Sequence, residues 1–256
     1  MLESLKEDFG FLPVDAHHQG QALQSKMVEN VKLFASDGNL LELDDLDELY
    51  PGVSSFVFLS KHKSESALPT LTCHSTGNFG INKFGGRAKE LAIAFPSLQK
   101  AYMKALTANH KSVPNYDIRI EATHHGPTSL RKPTIFIELG SSQEQWSDKN
   151  AAFTICSTAL AVLRNEIPRC SRVAIGIGGT HYPSKLNRLL VESDIGFAAI
   201  ASKHNLADID SEMLDQMITK SSERVTHAAI DSKGLNGQRT RIIRLVTAAG
   251  LEIIDV

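Results

Sequence analysis

Short, continuous apolar runs alternate with segments of helical periodicity along the chain, and that alternation confines it to an α/β fold. Ser55-Phe56-Val57-Phe58-Leu59, Leu91 to Phe95, Thr134 to Glu138, Arg172 to Ile177 and Ile195 to Ile200 read as strands buried on both faces. Val31 to Ala35, Asp117 to Glu121, Thr226 to Ile230 and Leu251 to Ile254 complete the set. Helices are expected at the N-terminus (Leu2, Leu5, Phe9), over Asp44 to Tyr50, from Pro96-Ser97 to Asn109, from an Asp148 cap to Asn165, from Pro183-Ser184 to Leu190, over residues 211–220, and from Gln238 to Ala249. In the helix that follows Asp148, the residues Phe153, Ile155, Cys156, Leu160 and Leu163 form the apolar side. The stretch between the first helix and Val31 reads as a polar loop. With no repeat or linker, the simplest organisation is one domain over residues 1–256. It would be built on a mixed, largely parallel sheet with helices on both faces, and ligands of such sheets sit outside the carboxyl ends of the strands.

A chain of 256 residues buries a full core without staples, and 42% hydrophobic with 22% charged residues is an ordinary globular balance. No apolar run approaches the roughly 20 residues of a membrane helix, which argues against a membrane role. Three cysteines, an odd number with no CxxC spacing, point to a reducing cytosol. The acidic first residues lack the apolar core of a signal peptide, so a cytoplasmic location is expected. A net charge of −2 excludes a uniformly basic nucleic-acid coat but leaves room for a local basic patch.

Three strand-like runs end in loops that join histidine to glycine. They are Thr72-Cys73-His74-Ser75-Thr76-Gly77-Asn78-Phe79-Gly80, Glu121-Ala122-Thr123-His124-His125-Gly126-Pro127-Thr128, and Gly176-Ile177-Gly178-Gly179-Thr180-His181-Tyr182-Pro183. With His62, which ends another apolar run, these histidines would emerge on one side of the sheet and line one composite pocket. Neutral imidazole serves as a metal ligand and as an acid or base near neutral pH. Gly126 permits a bend that turns at least one of His124 and His125 inward. Gly77, Gly80, Gly178 and Gly179 permit close approach of backbone to a ligand, where N–H groups can hold a phosphate or an oxyanion. Glu121 and Glu138, read as strand-end residues, can orient histidines, complete a metal site or act as a base. Singly, each group is equally explained by a backbone-bonded core histidine, a tight turn or a routine salt bridge; recurrence across three loops is what points to chemistry. There is no HExxH and no GxSxG elbow. Lys233, Arg239, Arg241 and Arg244, with Lys83, Arg87 and Lys89, form small basic sets suited to an RNA backbone if they flank the pocket.

The sequence resembles the archaeal and plant type of D-aminoacyl-tRNA deacylase. The resemblance is carried by HSTGNFG at His74 to Gly80, EATHHGPT at Glu121 to Thr128, FIELGSS at Phe136 to Ser142, GIGGTHY at Gly176 to Tyr182 and DSKGLNGQRTR at Asp231 to Arg241. It implies an esterase that removes a D-amino acid from the 3′ end of mischarged tRNA, with Zn2+ as cofactor and no protein partner. The implied fold is an α/β sandwich related to peptidyl-tRNA hydrolase and nucleoside phosphorylases. The implied catalytic set is His74, His124, His125 and His181 with Glu121 and Glu138. His74, His125 and His181 are the candidate metal ligands, and the division between metal binding and proton transfer stays open. Gly77, Asn78, Gly178, Gly179, Thr180, Lys233, Arg239 and Arg241 are the candidate substrate and tRNA contacts. Two departures from the family pattern stand out. Relatives begin with an extra strand ahead of the helix at Leu2, so a sheet strand is expected to be missing. A Gly-His pair in relatives falls where Ala198-Ala199 stand here, so any role of that histidine must be met otherwise. A nucleoside or small-ester hydrolase or phosphorylase on the same scaffold, or an inactive tRNA-binding relative, are the competing readings.

Overall fold

The protein is described by a computed structural model over residues 1–17, 20–64, 67–235 and 237–256, with Ala16 and His17 given by their backbone alone. Asn236, within the last of the five motifs, lies outside the described residues. The chain begins with α1 (Leu2–Glu7), β1 (Leu12–His17), β2 (Gly20–Gln24), β3 (Leu33–Ser36) and α2 (Leu46–Leu49). Next come β4 (Phe56–Lys63), β5 (Thr70–His74), the short β6 (Gly77–Asn78) and β7 (Glu90–Leu91), then α3 (Pro96–Ala108), β8 (Asp117–Ile120), β9 (Thr134–Ser141), α4 (Gln143–Trp146) and α5 (Lys149–Leu163). The C-terminal part alternates regularly: β10 (Arg172–Ile177), α6 (Ser184–Glu192), β11 (Ile195–Ala201), α7 (Ser211–Thr219), β12 (His227–Ile230), α8 (Arg239–Ala248) and β13 (Glu252–Asp255).

The α/β class is as expected, but the strands are divided between two four-stranded sheets. One, in the order β11-β10-β12-β13, is parallel throughout. The other, β4-β9-β5-β8, is mixed: β4 pairs β9 and β5 pairs β8 in parallel, while β5 and β9 run antiparallel with Thr72 opposite Glu138 and His74 opposite Phe136. The presumed polar loop after α1 contains a hairpin, and β1, β2 and β3 form a third, antiparallel sheet. The run at Leu91 to Phe95 is a strand only at its start, in β7.

The helices follow from their sequences. Pro96 occupies the first turn of α3, where its missing N–H costs nothing, and Glu223 accepts from both the amide and the hydroxyl of Ser97. Asp148 caps α5 by accepting from the Ala151 amide at 3.0 Å. Ile155, Cys156 and Leu160 bury the inner face of α5 as read from sequence, but Phe153 is exposed and stacks on Phe9. Lys100 in α3 is buried and donates to the carbonyls of Leu190, Ser193 and Ile195, which satisfies the C-terminal end of α6.

The main core lies between α3, α5, α6 and the two sheets, with Leu71, Tyr102, Met103, Leu106, Ile135, Ile137 and Phe197 fully enclosed. The two sheets are tied by backbone bonds from Ala122 to the His181 carbonyl and from Thr123 to the Ile200 carbonyl, both 2.8 Å. β4 is the edge of the mixed sheet and has no strand partner on its outer side among the described residues. Beside it runs an apolar groove of about 660 Å³, lined by Leu2, Leu5, Val31, Leu33, Phe56 and Leu160 among others. None of the described histidines lines it.

Candidate active site

Five histidines, two glutamates and a tyrosine converge where the mixed sheet meets the parallel one. His74 closes β5, Glu121 directly follows β8, and His181 follows β10. His124 is carried alongside Thr76 by an isolated parallel bridge, and the Gly77 amide bonds the carbonyls of both His124 and His125. His125 adopts a φ of +45°, a left-handed conformation uncommon for a residue with a side chain. That local inversion breaks the alternation that would send adjacent side chains to opposite faces. His124 and His125 therefore share the pocket, with ring centroids 4.4 Å apart. His74 completes the trio, its ring 4.2 Å from His124 and 4.8 Å from His125.

Each of the three tethers Nδ1 to a nearby backbone carbonyl: His74 to Ser75 (3.2 Å), His124 to Ala122 (2.9 Å) and His125 to Gly126 (2.7 Å). A neutral imidazole that donates Nδ1–H keeps the Nε2 lone pair for another ligand. His74 Nε2 is buried without a hydrogen-bond partner, a cost that a ligand at that point removes. The three offer ligand atoms within 4.8 Å of one another. Burial drives His74 well below the usual imidazole range, and the adjoining His124 and His125 push the same way. Burial and then the charge of His125 bring His124 down to about 3, and burial also lowers His125. These rings are held in the neutral form that coordinates metals.

The carboxylates organise the rest. His181 Nε2 lies 2.6 Å from Glu121 Oε2, and His124 Nε2 lies 3.7 Å from the same oxygen. His62 Nδ1 sits 2.9 Å from Glu138 and 3.4 Å from Glu121, while its Nε2 is 2.6 Å from the Tyr182 hydroxyl. Burial pushes the Glu121 carboxyl up, but the hydrogen bond from His181 and the charges of the surrounding histidines hold it below the usual range. Burial likewise pulls His62 down, yet its bond to Glu138 and the charges of both glutamates leave it raised. Tyr182 is raised to about 12, first by burial and then by the charge of Glu121.

The site thus gathers all six residues expected to be catalytic. Two details differ from the sequence reading. Glu138 is not at a strand end, because β9 continues to Ser141, and His62 lies on β4 rather than beyond it. The expected ligand trio of His74, His125 and His181 is not one of the clusters formed. His124 stands with His74 and His125, and His181 falls in a second group with Glu121 and His124; a third comprises His62, Glu121 and Glu138. Tyr182 was passed over by the sequence reading although it adjoins His181. His62, expected to line the pocket, keeps the period of two set by Phe56 and Phe58 and shares their buried face.

The expected substrate contacts separate into two kinds. Gly77 and Gly178 spend their amides on protein carbonyls, of His125 and Ala201 respectively, both at 2.8 Å. Asn78 is buried and holds the carbonyls of Gly85 and Arg87. Arg241 clamps the turn after β11 by donating to the carbonyls of Leu206 and Ile209. These residues build the fold. Thr180, Lys233 and Arg239 remain exposed, and Gly179 has a φ of +78° beside Pro183. Ala198 and Ala199 are buried in β11, where the Ala198 carbonyl accepts from Ser75 Oγ next to His74. Neither offers a ligand.

A family model described as D-aminoacyl-tRNA deacylase matches residues 49–254. A D-aminoacyl-tRNA deacylase of Thermococcus onnurineus is 35% identical over 262 residues, covering 99% of this chain and 94% of its own length. That of Cenarchaeum symbiosum is 37% identical over 203 residues, covering 78% of this chain and 77% of its own. The crystal structure of a conserved protein of unknown function superposes with a TM-score of 0.89 at 27% identity, covering 99% of this chain and 89% of that one. With its motif loops folded into one histidine and carboxylate site and its matches spanning nearly the full sequence, this chain belongs to the D-aminoacyl-tRNA deacylase family.

Proposed function

We infer that the protein hydrolyses the ester bond of D-aminoacyl-tRNA, releasing the free D-amino acid and tRNA and so correcting chirality errors in translation. Preference for the D-ester is carried by family membership. The hydrolytic chemistry is supported by one observation above others: three neutral histidines, each tethered through Nδ1, converge beside a buried carboxylate that orients a fourth.

Ester hydrolysis requires water to lose a proton, a tetrahedral oxyanion to be stabilised and the ribose oxygen to leave protonated. His181 is suited to move protons. Its side chain is 40% exposed at the mouth of the site, and Glu121 holds Nε2, leaving Nδ1 as the base. This base with its orienting carboxylate is the geometry general-base catalysis needs. His62, held 2.9 Å from Glu138 and 3.4 Å from Glu121, sits on the same wall, where both carboxylates favour its protonated form. Tyr182 Oη meets that imidazole and carries its hydrogen-bond chain toward the pocket mouth.

The donor set fits a divalent metal. His74, His124 and His125 would hold it through their Nε2 atoms, and softness and charge suit Zn2+. Bound there, the ion would supply Lewis-acid polarisation and lower the pKa of coordinated water. No helix among the described residues is long and apolar enough to cross a membrane. The substrate class and the cysteine pattern fit an enzyme of the cytoplasm.

The test is release of tyrosine from D-tyrosyl-tRNA and L-tyrosyl-tRNA by metal-replete protein, with His181→Ala as control. Rapid release from the D-ester alone supports the reading, and no release from it by folded protein defeats it.

A further inference from the structure

Phe84 sits at the tip of the loop between β6 and β7 with 65% of its surface exposed, and Ile81 on the same loop is 71% exposed. The sequence around them, Ile81-Asn82-Lys83-Phe84-Gly85-Gly86-Arg87-Ala88-Lys89, carries three cations and no acid. Lys83, Arg87 and Lys89 are all exposed, and among the described residues Arg87 has only Glu90, at 3.7 Å, as an ionic neighbour. Phe153, the other exposed phenylalanine, stacks on Phe9, whereas Phe84 has no ring partner among the described residues.

The loop that presents Phe84 is nevertheless firmly built. Asn78 and Asn82 hold the carbonyls of Gly85, Arg87 and Gly86, and the Lys89 amide closes the loop onto the Gly80 carbonyl at 2.8 Å. The Gly126 amide donates to the Phe84 carbonyl at 2.9 Å, fastening the loop to the residue that follows His125. The fit is close: a Cβ on Gly85 would lie 2.1 Å from the Leu41 carbonyl oxygen, and one on Gly126 would lie 2.3 Å from the Gly86 amide nitrogen. A rigid, cation-flanked aromatic bolted to the catalytic turn is therefore left facing solvent.

We propose that Phe84 is a stacking platform for the single-stranded 3′ end of tRNA, with Lys83 and Arg87 engaging its phosphates. The inference rests on the deacylase reading and deepens it. An ester on the terminal ribose reaches the histidines only if the unpaired nucleotides before it are held beside the pocket. Stacking on an aromatic ring with flanking cations is how single strands are held without reading sequence. Phe84 touches nucleotides rather than the reacting atoms, so it is a positioning residue.

Binding of uncharged tRNA, intact or trimmed of its 3′-terminal CCA, distinguishes this role without requiring turnover. By fluorescence anisotropy, wild-type protein should prefer intact tRNA, and Phe84→Ala should lose roughly 5- to 150-fold in affinity for it. The variant should bind trimmed tRNA as wild type does, Phe84→Trp should restore the preference, and circular dichroism should report an unchanged fold. Equal binding of intact tRNA by wild type and Phe84→Ala overturns the proposal, as does equal weakening toward both tRNAs. A wild-type protein that shows the CCA preference yet releases no D-tyrosine would defeat the deacylase reading while leaving the platform standing.

Discussion

Glu121 and His181 are joined by a 2.6 Å hydrogen bond across the boundary between the two four-stranded sheets. One partner is fully buried after β8 and the other stands at the pocket mouth after β10. Glu121→Gln keeps the shape but removes the charge that orients and stabilises the imidazolium. The variant is expected to lose roughly 10²- to 10⁴-fold in kcat with KM little changed. Steady-state deacylation settles it, and an unaltered kcat would strip Glu121 of the orienting role.

Removal of His74 reads out the metal site directly. His74→Ala, dialysed against Zn2+ and then against metal-free buffer, is expected to retain far less than the one equivalent expected of wild type. Elemental analysis gives the number, and retention of a full equivalent would place the ion in one of the other two clusters.

Acidity should weaken the metal-free fold between the unfolded imidazole value of about 6.5 and the lower values in the native site. In that window the unfolded chain binds protons that buried His74, His124 (about 3) and His125 refuse, so stability falls as pH drops. His62 works in the opposite sense: its raised value contributes stability below 6.5 that is lost as pH rises through the folded value. The depressed Glu121 contributes stability that declines only below the unfolded carboxylate range. Three groups against one give a net loss, so Tm should decrease from pH 7 to pH 5, less steeply in His124→Asn. A flat or rising Tm would refute neutral burial.

Arg241 and Arg239 should behave differently although both lie in the same basic motif. Arg241→Ala loses the clamp on Leu206 and Ile209 and should lower Tm by several degrees, at about 2–4 °C per kcal/mol for a chain of this size, while the salt dependence of tRNA binding stays put. Arg239→Ala should leave Tm alone and reduce the slope of log K against log salt by about 1 if its exposed guanidinium meets a phosphate.

Gly126→Ala tests the tightness of the catalytic turn. Its new methyl would meet the Gly86 amide and the Leu41 carbonyl oxygen at 2.3 and 2.4 Å, backbone atoms that cannot rotate aside. Expected losses are about 1–3 kcal/mol of stability and most of the activity, checked by thermal melting and deacylation.

Much of this was written plainly in the sequence. The C-terminal strands and helices fall within a residue or two of their expected positions because β10 and β11 are near-continuous buried apolar runs and strands and helices alternate regularly around them. The hairpin of β1 and β2 escaped notice because the apolar Leu12 and Val14 face outward rather than into a core, while Leu23 on β2 is enclosed. Gly140 misled for another reason. It resembles a turn glycine, yet it sits inside β9 opposite His62, whose Cβ would lie 2.6 Å from a Cβ placed there. That close approach makes room for the His62 ring and keeps Glu138 within the strand. Nor could spacing decide between His124 and His125, because the positive φ that brings both into the pocket is a tertiary outcome.

The backbone bonds from Ala122 to His181 and from Thr123 to Ile200 make the pocket a seam rather than a cleft within one sheet. His181 and Tyr182 reach it from the parallel sheet, whereas His62, His74, Glu121, His124, His125 and Glu138 come from the mixed sheet or the loop after β8, so the Glu121–His181 pair exists only where the two sheets meet.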